Sequence, residues 1–146
     1  MSAGNICRRD VDTAKYDESV FDTARRMRDR QVGTVIVVDE KRPIGILTDR
    51  DLTVRVLAAG LDPQTTRVSE VMTPSPTTIQ EEDAIATALG CMRSGRFRRL
   101  PVVARDGSLL GILALDDVLV LMAEELAEVG PLLRREAPHR WLGRQT

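Results

Sequence analysis

The sequence predicts an α/β fold that contains two copies of one β-α-β-β-α unit. The segment Gly45-Ile-Leu-Thr-Asp-Arg-Asp51 returns 66 positions later as Gly111-Ile-Leu-Ala-Leu-Asp-Asp117, with four of its seven residues identical. Short β-branched runs alternate with segments whose apolar residues recur at helical spacing, and this order occurs once in each half. Repetition at a fixed distance indicates a duplicated structural unit. We expect the two copies to pack with approximate two-fold symmetry.

The first unit is predicted to start with an extended segment at 11–14. Asp17 or Ser19 can cap a helix that runs to about Arg30. The β-branched residues at 34–38 predict a strand, the turn 39–43 follows, and 44–47 is the partner strand. A second helix opens at Asp49 and ends near Gly60, because glycine accepts the left-handed conformation of a helix C-cap.

The second unit repeats this order after a connector at 61–66 and a single helical turn at 68–72. The run Thr73-Pro-Ser-Pro76 excludes helix, and 77–79 is predicted to be extended. A helix at 81–94, strands at 100–104 and 109–113, and a helix at 115–129 follow, the last stopped by Gly130-Pro131. The methionines of these helices are expected in the core: Met27, Met92 and Met122.

The composition excludes several classes of function. The chain has 146 residues, a formal net charge of −1 and 3% aromatic residues, which argues against bulk binding of nucleic acid or anionic membranes. One histidine and two cysteines cannot supply a zinc site. The absence of a signal-peptide core and of an apolar run of about 18 residues predicts a cytoplasmic location without membrane insertion.

An enzyme is not expected, and no catalytic residue is assigned. The repeats contain no histidine, no nucleophile-elbow pattern and no GxxxxGK[ST] phosphate loop. A single unit of about 60 residues would bury too little surface to be stable alone. We therefore expect one module over 1–146, with motifs at 8–66 and 67–130 and a C-terminal tail at 131–146.

The element order resembles the CBS domain, named for cystathionine β-synthase, whose tandem pair is also called a Bateman module. Gly-x-x-Thr-x-x-Asp at 45–51, Met72-Thr-Pro74 and Arg99-Leu-Pro-Val-Val103 carry the resemblance, which covers about residues 8–130. The chain is also similar to small stand-alone bacterial CBS pairs, including hypoxic-response proteins. The resemblance implies a regulatory homodimer that binds AMP, ADP or ATP in clefts between its halves, senses energy charge and signals to an unknown protein partner. It implies no required cofactor.

Cleft one, by this resemblance, takes its ribose-binding carboxylate from Asp51. Thr48 would bond ribose or phosphate, and Arg50 would meet a phosphate at the helix N-terminus. By the same resemblance, four residues would line the base or its rim: Ile46, Thr78, Phe97 and Pro101. Two arginines from the opposite half, Arg98 and Arg99, would approach the phosphate. Thr and Asp are also favoured at helix starts for capping alone, so a capped, solvated helix start is the competing interpretation.

Cleft two is predicted to be the weaker site. Asp117 corresponds to Asp51, but Ala114 replaces Thr48, and Asp116 replaces Arg50 and would repel a phosphate. The resemblance gives its other wall to Thr13, Val32, Gly33, Thr34 and Val35. We expect this cleft to be empty or to take an uncharged adenosine-like group.

The basic segment Arg93-Ser-Gly-Arg-Phe-Arg-Arg99 has three interpretations: a phosphate site, a solvated face or a nucleic-acid patch. A short basic segment in a neutral protein favours one bound anion, because nucleic-acid backbones need many phosphate contacts. Two alternatives to nucleotide regulation remain open. One is a ligand-free structural or interaction module that uses the tail, and the less favoured one is nucleic-acid binding through Arg93–Arg99.

Overall fold

The computed structural model describes residues 1–136, which form two small sheets with helices packed against them. The elements in chain order are α1 (Ala3–Ile6), β1 (Thr13–Lys15), α2 (Val20–Arg30), β2 (Thr34–Asp39), β3 (Arg42–Thr48), α3 (Asp49–Asp51, continued by a π-helical segment, Leu52–Leu57), α4 (Val68–Val71), β4 (Thr73–Pro74), β5 (Ile79–Gln80), α5 (Ile85–Gly95), β6 (Arg99–Val103), β7 (Leu109–Ala114) and α6 (Leu115–Glu136). The strand orders are β1-β2-β3-β4 and β5-β6-β7. The predicted α/β fold of two repeated units is confirmed.

The first three strands of the first sheet correspond to the three strands of the second. Each begins with a parallel pair, β1 with β2 and β5 with β6, followed by an antiparallel hairpin. Val37 lies opposite Gly45 in the first hairpin, and Val102 lies opposite Gly111 in the second. The first residues of β2 and β6, Thr34 and Arg99, are therefore equivalent, and this equivalence aligns the two clefts.

Each hydrophobic core is completed by a short helix that precedes the other repeat. Ala3 of α1 is fully buried in the core of the second sheet, and the Gly4 N–H donates to the Glu81 carbonyl at 2.8 Å. Val68 and Val71 of α4 lie in the core of the first sheet. This exchange ties the two halves together.

Helix α1 had no counterpart in the prediction, and its packing explains why the predicted helix at 81–94 begins later, at Ile85. The carbonyls of Glu81 and Asp83 accept hydrogen bonds from the backbone of α1, each at 2.8 Å. The Asp83 side chain accepts from the Gln80 N–H at 2.9 Å. These bonds hold the residues before Ile85 in a turn.

Helix α6 does not stop at Gly130-Pro131 as predicted, but runs to Glu136. Pro131 removes one backbone donor from the helix, and the good helix formers after it continue the structure. Residues 131–136 of the predicted tail therefore belong to α6, and residues 137–146 lie outside the described part of the chain. The predicted core position of Met122 is wrong because its side chain is half exposed, whereas Met27 and Met92 are buried.

Glu18 fixes the start of α2 through hydrogen bonds. It accepts from Arg26 at 2.9 Å, from the Thr23 hydroxyl at 2.5 Å and from the Lys15 N–H at 3.1 Å. Burial raises the pKa of this carboxyl, but the hydrogen bonds from Arg26, Thr23 and Lys15 together outweigh burial and leave the pKa below its ordinary value of 4.5.

Glu18→Gln is expected to lower the free energy of unfolding at neutral pH by about 1–3 kcal/mol, because it weakens hydrogen bonds made to a charged group. A depressed pKa in the folded state stabilises the protein above pH 4.5, and this stabilisation is lost as pH falls through the folded-state value. Urea unfolding between pH 3 and 7 measures the difference between wild type and variant. A difference that is constant across this range would contradict the assignment.

Candidate functional site

A cavity of about 350 Å³ lies between the end of β3, the start of β6 and the segment 73–77. Five predicted residues of cleft one line it: Ile46, Thr48, Asp51, Phe97 and Arg99. Sequence analysis did not predict the rest of the wall, which is Thr73, Pro74, Ser75, Pro76 and Thr77. The cavity thus combines groups from both repeats, and we refer to it as cavity one.

Thr48 and Asp51 form a capping box at the start of α3. The Asp51 N–H donates to the Thr48 hydroxyl at 3.1 Å, and the Thr48 N–H donates to the Asp51 carboxylate at 2.9 Å. Arg55 lies 3.7 Å from the other Asp51 oxygen. The capped helix start is therefore present in the structure. A carboxylate has about four acceptor sites, so Asp51 keeps lone pairs for hydroxyl donors in the cavity.

Arg99 supplies positive charge to cavity one from the opposite repeat. It is the first residue of β6, its side chain is exposed, and it forms no ion pair within residues 1–136. The charged side chains that line the cavity are Asp51 and Arg99. A carboxylate and a guanidinium that line one cavity from different repeats can bind the hydroxyl groups and the anionic group of the same ligand.

Four predicted residues of cleft one lie outside this lining. Arg50 is exposed on α3, and Thr78 is exposed while its neighbour Thr77 faces the cavity. Pro101 is fully buried within β6. Arg98 is bound to Asp116 at 2.9 Å, which ties it to the start of α6.

A second cavity of about 280 Å³ lies at the equivalent place, between the start of β2 and the end of β7. Four predicted residues of cleft two line it: Val32, Gly33, Thr34 and Asp117. Val35 is instead fully buried in the core, and Thr13 lies in β1 outside the lining. Ala114 and Asp116, which replace Thr48 and Arg50 of the first repeat, also line it. Sequence analysis did not predict the other lining residues, which are Arg8, Asp10, Val11, Asp12, Gln31, Arg99 and Ile112.

In this second cavity, which we call cavity two, Arg8 binds Asp117, the residue equivalent to Asp51. Arg8 donates to Asp117 Oδ1 from two nitrogens, at 2.8 and 3.2 Å, and this hydrogen bond raises the pKa of the guanidinium. Asp117 Oδ2 is buried and accepts no hydrogen bond from residues 1–136. Asp12, on the same wall, is paired with Arg30.

The structural equivalence of the halves explains the difference between the cavities. Gly45 is approached by Met72 and the Thr73 carbonyl, and Gly111 by Cys7 and the Arg8 carbonyl, so segment 6–14 corresponds to 71–79. The positions of Thr73, Ser75 and Thr77 in cavity one therefore correspond to Arg8, Asp10 and Asp12 in cavity two. Cavity one has neutral polar groups where cavity two has ions.

The basic segment 93–99 does not present its arginines to one place. Arg99 lines both cavities, whereas Arg93, Arg96 and Arg98 border a separate depression of about 330 Å³ beside Phe97. Phe97 itself reaches cavity one. The segment therefore contributes one arginine and one aromatic ring to the candidate site.

The fold and the site define a duplicated α/β module with a ligand-sized cavity at each of two equivalent places. The CBS domain family matches this chain twice, at residues 3–58 and 68–124. The chain therefore belongs to the CBS domain family, as a pair of CBS motifs.

Related sequences extend beyond this chain. An uncharacterised protein of Methanopyrus kandleri is 36% identical over 120 residues, which are 82% of this chain and 61% of the relative. The CBS domain-containing protein CBSCBSPB2 of Arabidopsis thaliana is 37% identical over 135 residues, 90% of this chain and 25% of the relative. The chain thus spans less than two thirds of these relatives.

Solved structures of CBS pairs superpose on most of the chain. Hypoxic Response Protein I with two coordinated zinc ions has a TM-score of 0.74 at 30% identity, covering 82% of this chain and 97% of that one. The cytosolic domain of the Mg²⁺ channel MgtE in complex with ATP has a TM-score of 0.72 at 30% identity, covering 82% and 48%. CBSX2 in complex with AMP has a TM-score of 0.71 at 26% identity, covering 84% and 96%.

Residues 1–136 contain neither a membrane-spanning helix nor a cluster of metal ligands. None of the helices in this range has the length and apolar character needed to cross a membrane. Over the same residues, histidine, cysteine and acidic side chains form no group of three or more placed to hold a metal ion.

Proposed function

We propose that cavity one binds an adenine nucleotide, AMP, ADP or ATP, and that this protein is a regulatory module without catalytic activity. The observation that carries the proposal is the placement of Asp51 and Arg99, from different repeats, on the wall of one cavity. Asp51 would accept hydrogen bonds from the ribose hydroxyls, and Arg99 would bind phosphate. Ile46 and Phe97 offer apolar surface for the base. Solved relatives in complex with ATP and AMP support this ligand class.

Regulation follows from the position of the cavity between the repeats. A ligand that contacts β3 and α3 on one side and β6 on the other favours the arrangement of the halves in which both contacts form. The ligand can shift that arrangement only by its difference in affinity for the two states. We infer that a protein partner, unidentified by the sequence, responds to this shift.

Cavity two is proposed to remain free of nucleotide or to take an uncharged adenosine-like group. Arg8 already occupies the carboxylate that corresponds to Asp51, and four aspartates line the cavity. A phosphate would have to displace the ion pair between Arg8 and Asp117 and lie near Asp116.

Isothermal titration with AMP, ADP, ATP and adenosine tests the proposal. One nucleotide is expected per chain, and saturation at about 100 times Kd should stabilise the fold by about 2.7 kcal/mol, or several degrees in Tm. Arg99→Ala is expected to weaken the binding of AMP and ATP about tenfold or more, because it removes a charge-assisted hydrogen bond to phosphate. The affinity for adenosine, which has no phosphate, should change less than about two-fold.

Arg96→Ala is the matched control, since Arg96 is exposed on the same segment but outside cavity one. An equal loss of affinity for all four ligands in Arg99→Ala would contradict the assignment of Arg99 to phosphate. The absence of both binding heat and a Tm shift at millimolar nucleotide would contradict the proposed function. That result would favour a ligand-free interaction module. Stabilisation by an oligonucleotide that disappears in salt would favour nucleic-acid binding instead.

A further inference from the structure

The side chain of Phe97 lies where cavity one meets two other depressions of the second repeat. It lines cavity one, the depression of about 330 Å³ with the three arginines, and a further depression of about 460 Å³ that Cys91, Ser94 and Gly95 also line. The residue is half buried. Because open space borders the ring at three places, a small number of contacts must fix its position.

The backbone of Phe97 is held by the end of α5. Arg96, the C-cap residue, is left-handed with φ 56° and ψ 38°, and the Phe97 N–H donates to the Met92 carbonyl at 3.2 Å. Hydrogen bonds of this kind give a helix end a defined geometry. With the backbone held, the ring can move only by rotation about its side-chain bonds.

Gly95 provides the space in which the ring of Phe97 lies. A Cβ at position 95 would lie 2.6 Å from Phe97 Cδ1 and closer still to Cε1 and Cζ. The backbone does not itself require glycine at this position, because residue 95 is helical and the left-handed residue is Arg96. The close approach of the ring is therefore the feature that requires a residue without a side chain.

The first repeat lacks this combination of residues. Its helix α2 ends in the same way, since Gln31 is left-handed and the Val32 N–H donates to the last turn of the helix at 3.0 Å. Arg30 thus corresponds to Gly95, and Val32 corresponds to Phe97. Val32 lines cavity two, whereas Phe97 lines cavity one. Of these two equivalent places, only the one at cavity one combines a glycine with an aromatic ring.

We propose that Gly95 is a positioning residue for cavity one, and that it holds the ring of Phe97 as the wall on which the base of the nucleotide stacks. The inference rests on the proposed function and assigns selectivity for an aromatic base to one contact. Stacking of a base on an aromatic ring changes affinity by about 5- to 150-fold. A Cβ at position 95 displaces the ring, which then either fills cavity one or leaves it without its aromatic wall.

Calorimetric titration with AMP tests this role in a double-mutant cycle. Gly95→Ala and Phe97→Val are each expected to weaken AMP binding about fivefold or more. In the Phe97→Val background, Gly95→Ala should cost less than about two-fold, because the ring that it displaces is gone. Gly90→Ala places the same methyl group on the same helix, where a Cβ meets nothing within 4 Å, and should bind AMP like wild type.

The position of the ring can also be measured without any ligand. The chain contains two phenylalanines, Phe21 and Phe97, so carbon-13-labelled phenylalanine gives two sets of ring resonances. Gly95→Ala is expected to shift the Phe97 set, which the Phe97→Val spectrum identifies, and to leave the Phe21 set in place. Cooperative unfolding should be retained, because the atoms that must move belong to the end of a side chain.

The outcomes separate this inference from the proposed function. If wild type binds AMP and Gly95→Ala binds it equally well, the role of Gly95 is wrong while the proposed function stands. Unshifted Phe97 resonances, or an undiminished loss of affinity in the Phe97→Val background, would overturn the role as well, since the methyl group would then act elsewhere. A wild type that binds no adenine nucleotide would contradict the proposed function and this inference together.

Discussion

Asp51→Asn is expected to weaken AMP binding about 10- to 150-fold, whereas Asp117→Asn should change it less than about two-fold. Losing a hydrogen bond to a charged group costs about 1.5–3 kcal/mol, which corresponds to that range of affinity. The amide introduced at position 51 would have a single oxygen acceptor, and the Thr48 N–H already donates to the wild-type side chain at 2.9 Å. The ribose hydroxyls would then compete with the capping box for one atom.

Calorimetric titration of both variants measures this difference, with unfolding curves to show that the capping box survives. Asp117 serves as the matched control because it occupies the same place in the second repeat but is already bound by Arg8. Equal losses for the two variants, or a greater loss for Asp117→Asn, would show that the ligand occupies cavity two as well or instead.

Gly111→Ala is expected to lower the free energy of unfolding by about 1–3 kcal/mol, as overpacking of a closely packed site does. A Cβ at this position would lie 2.6 Å from the Arg8 carbonyl oxygen and 2.7 Å from Cys7 Sγ. The backbone of Arg8 exchanges two hydrogen bonds with Ile112, at 2.9 and 3.0 Å, so it cannot move without losing them. The added methyl group would therefore push the N-terminal segment away from β7.

Urea unfolding gives the free-energy change, and hydrogen exchange at the Arg8 and Ile112 amides shows where it arises. Gly90→Ala is the matched control, since a Cβ there meets nothing within 4 Å and alanine in a helix interior stabilises by about 0.5–1 kcal/mol. If Gly111→Ala were as stable as wild type, the close approach of Arg8 to β7 would be wrong.

The repeat made the fold and half of cavity one predictable. Because Gly-x-x-Thr-x-x-Asp follows an apolar strand, it places Thr48 and Asp51 where β3 becomes α3, and the structure has them there. The resemblance assigns Arg98 to phosphate together with Arg99, but Arg98 lies just before β6 and pairs with Asp116 at 2.9 Å.

The remaining features depend on contacts between distant residues. Helix α1 spans four residues, too few for a periodic pattern, and it forms because its backbone bonds Glu81 and Asp83. The Arg8–Asp117 pair joins residues 109 positions apart. An alignment of residues 6–14 with 71–79 shows that ions replace neutral groups in cavity two. That alignment has an offset of 65 residues instead of 66, because one hairpin is a residue longer than the other, and the structure reveals this difference.

The exchange of α1 and α4 between the cores determines the order in which the chain can assemble. The first core needs Val68 and Val71, so it stays incomplete until the ribosome has released the start of the second repeat. The second core needs Ala3, which must return to Asp83 across most of the first repeat. Closing such long loops costs entropy before any contact rewards it. The first core can therefore be completed once residues up to Met72 are available, whereas the second core requires the two ends of a long segment to meet.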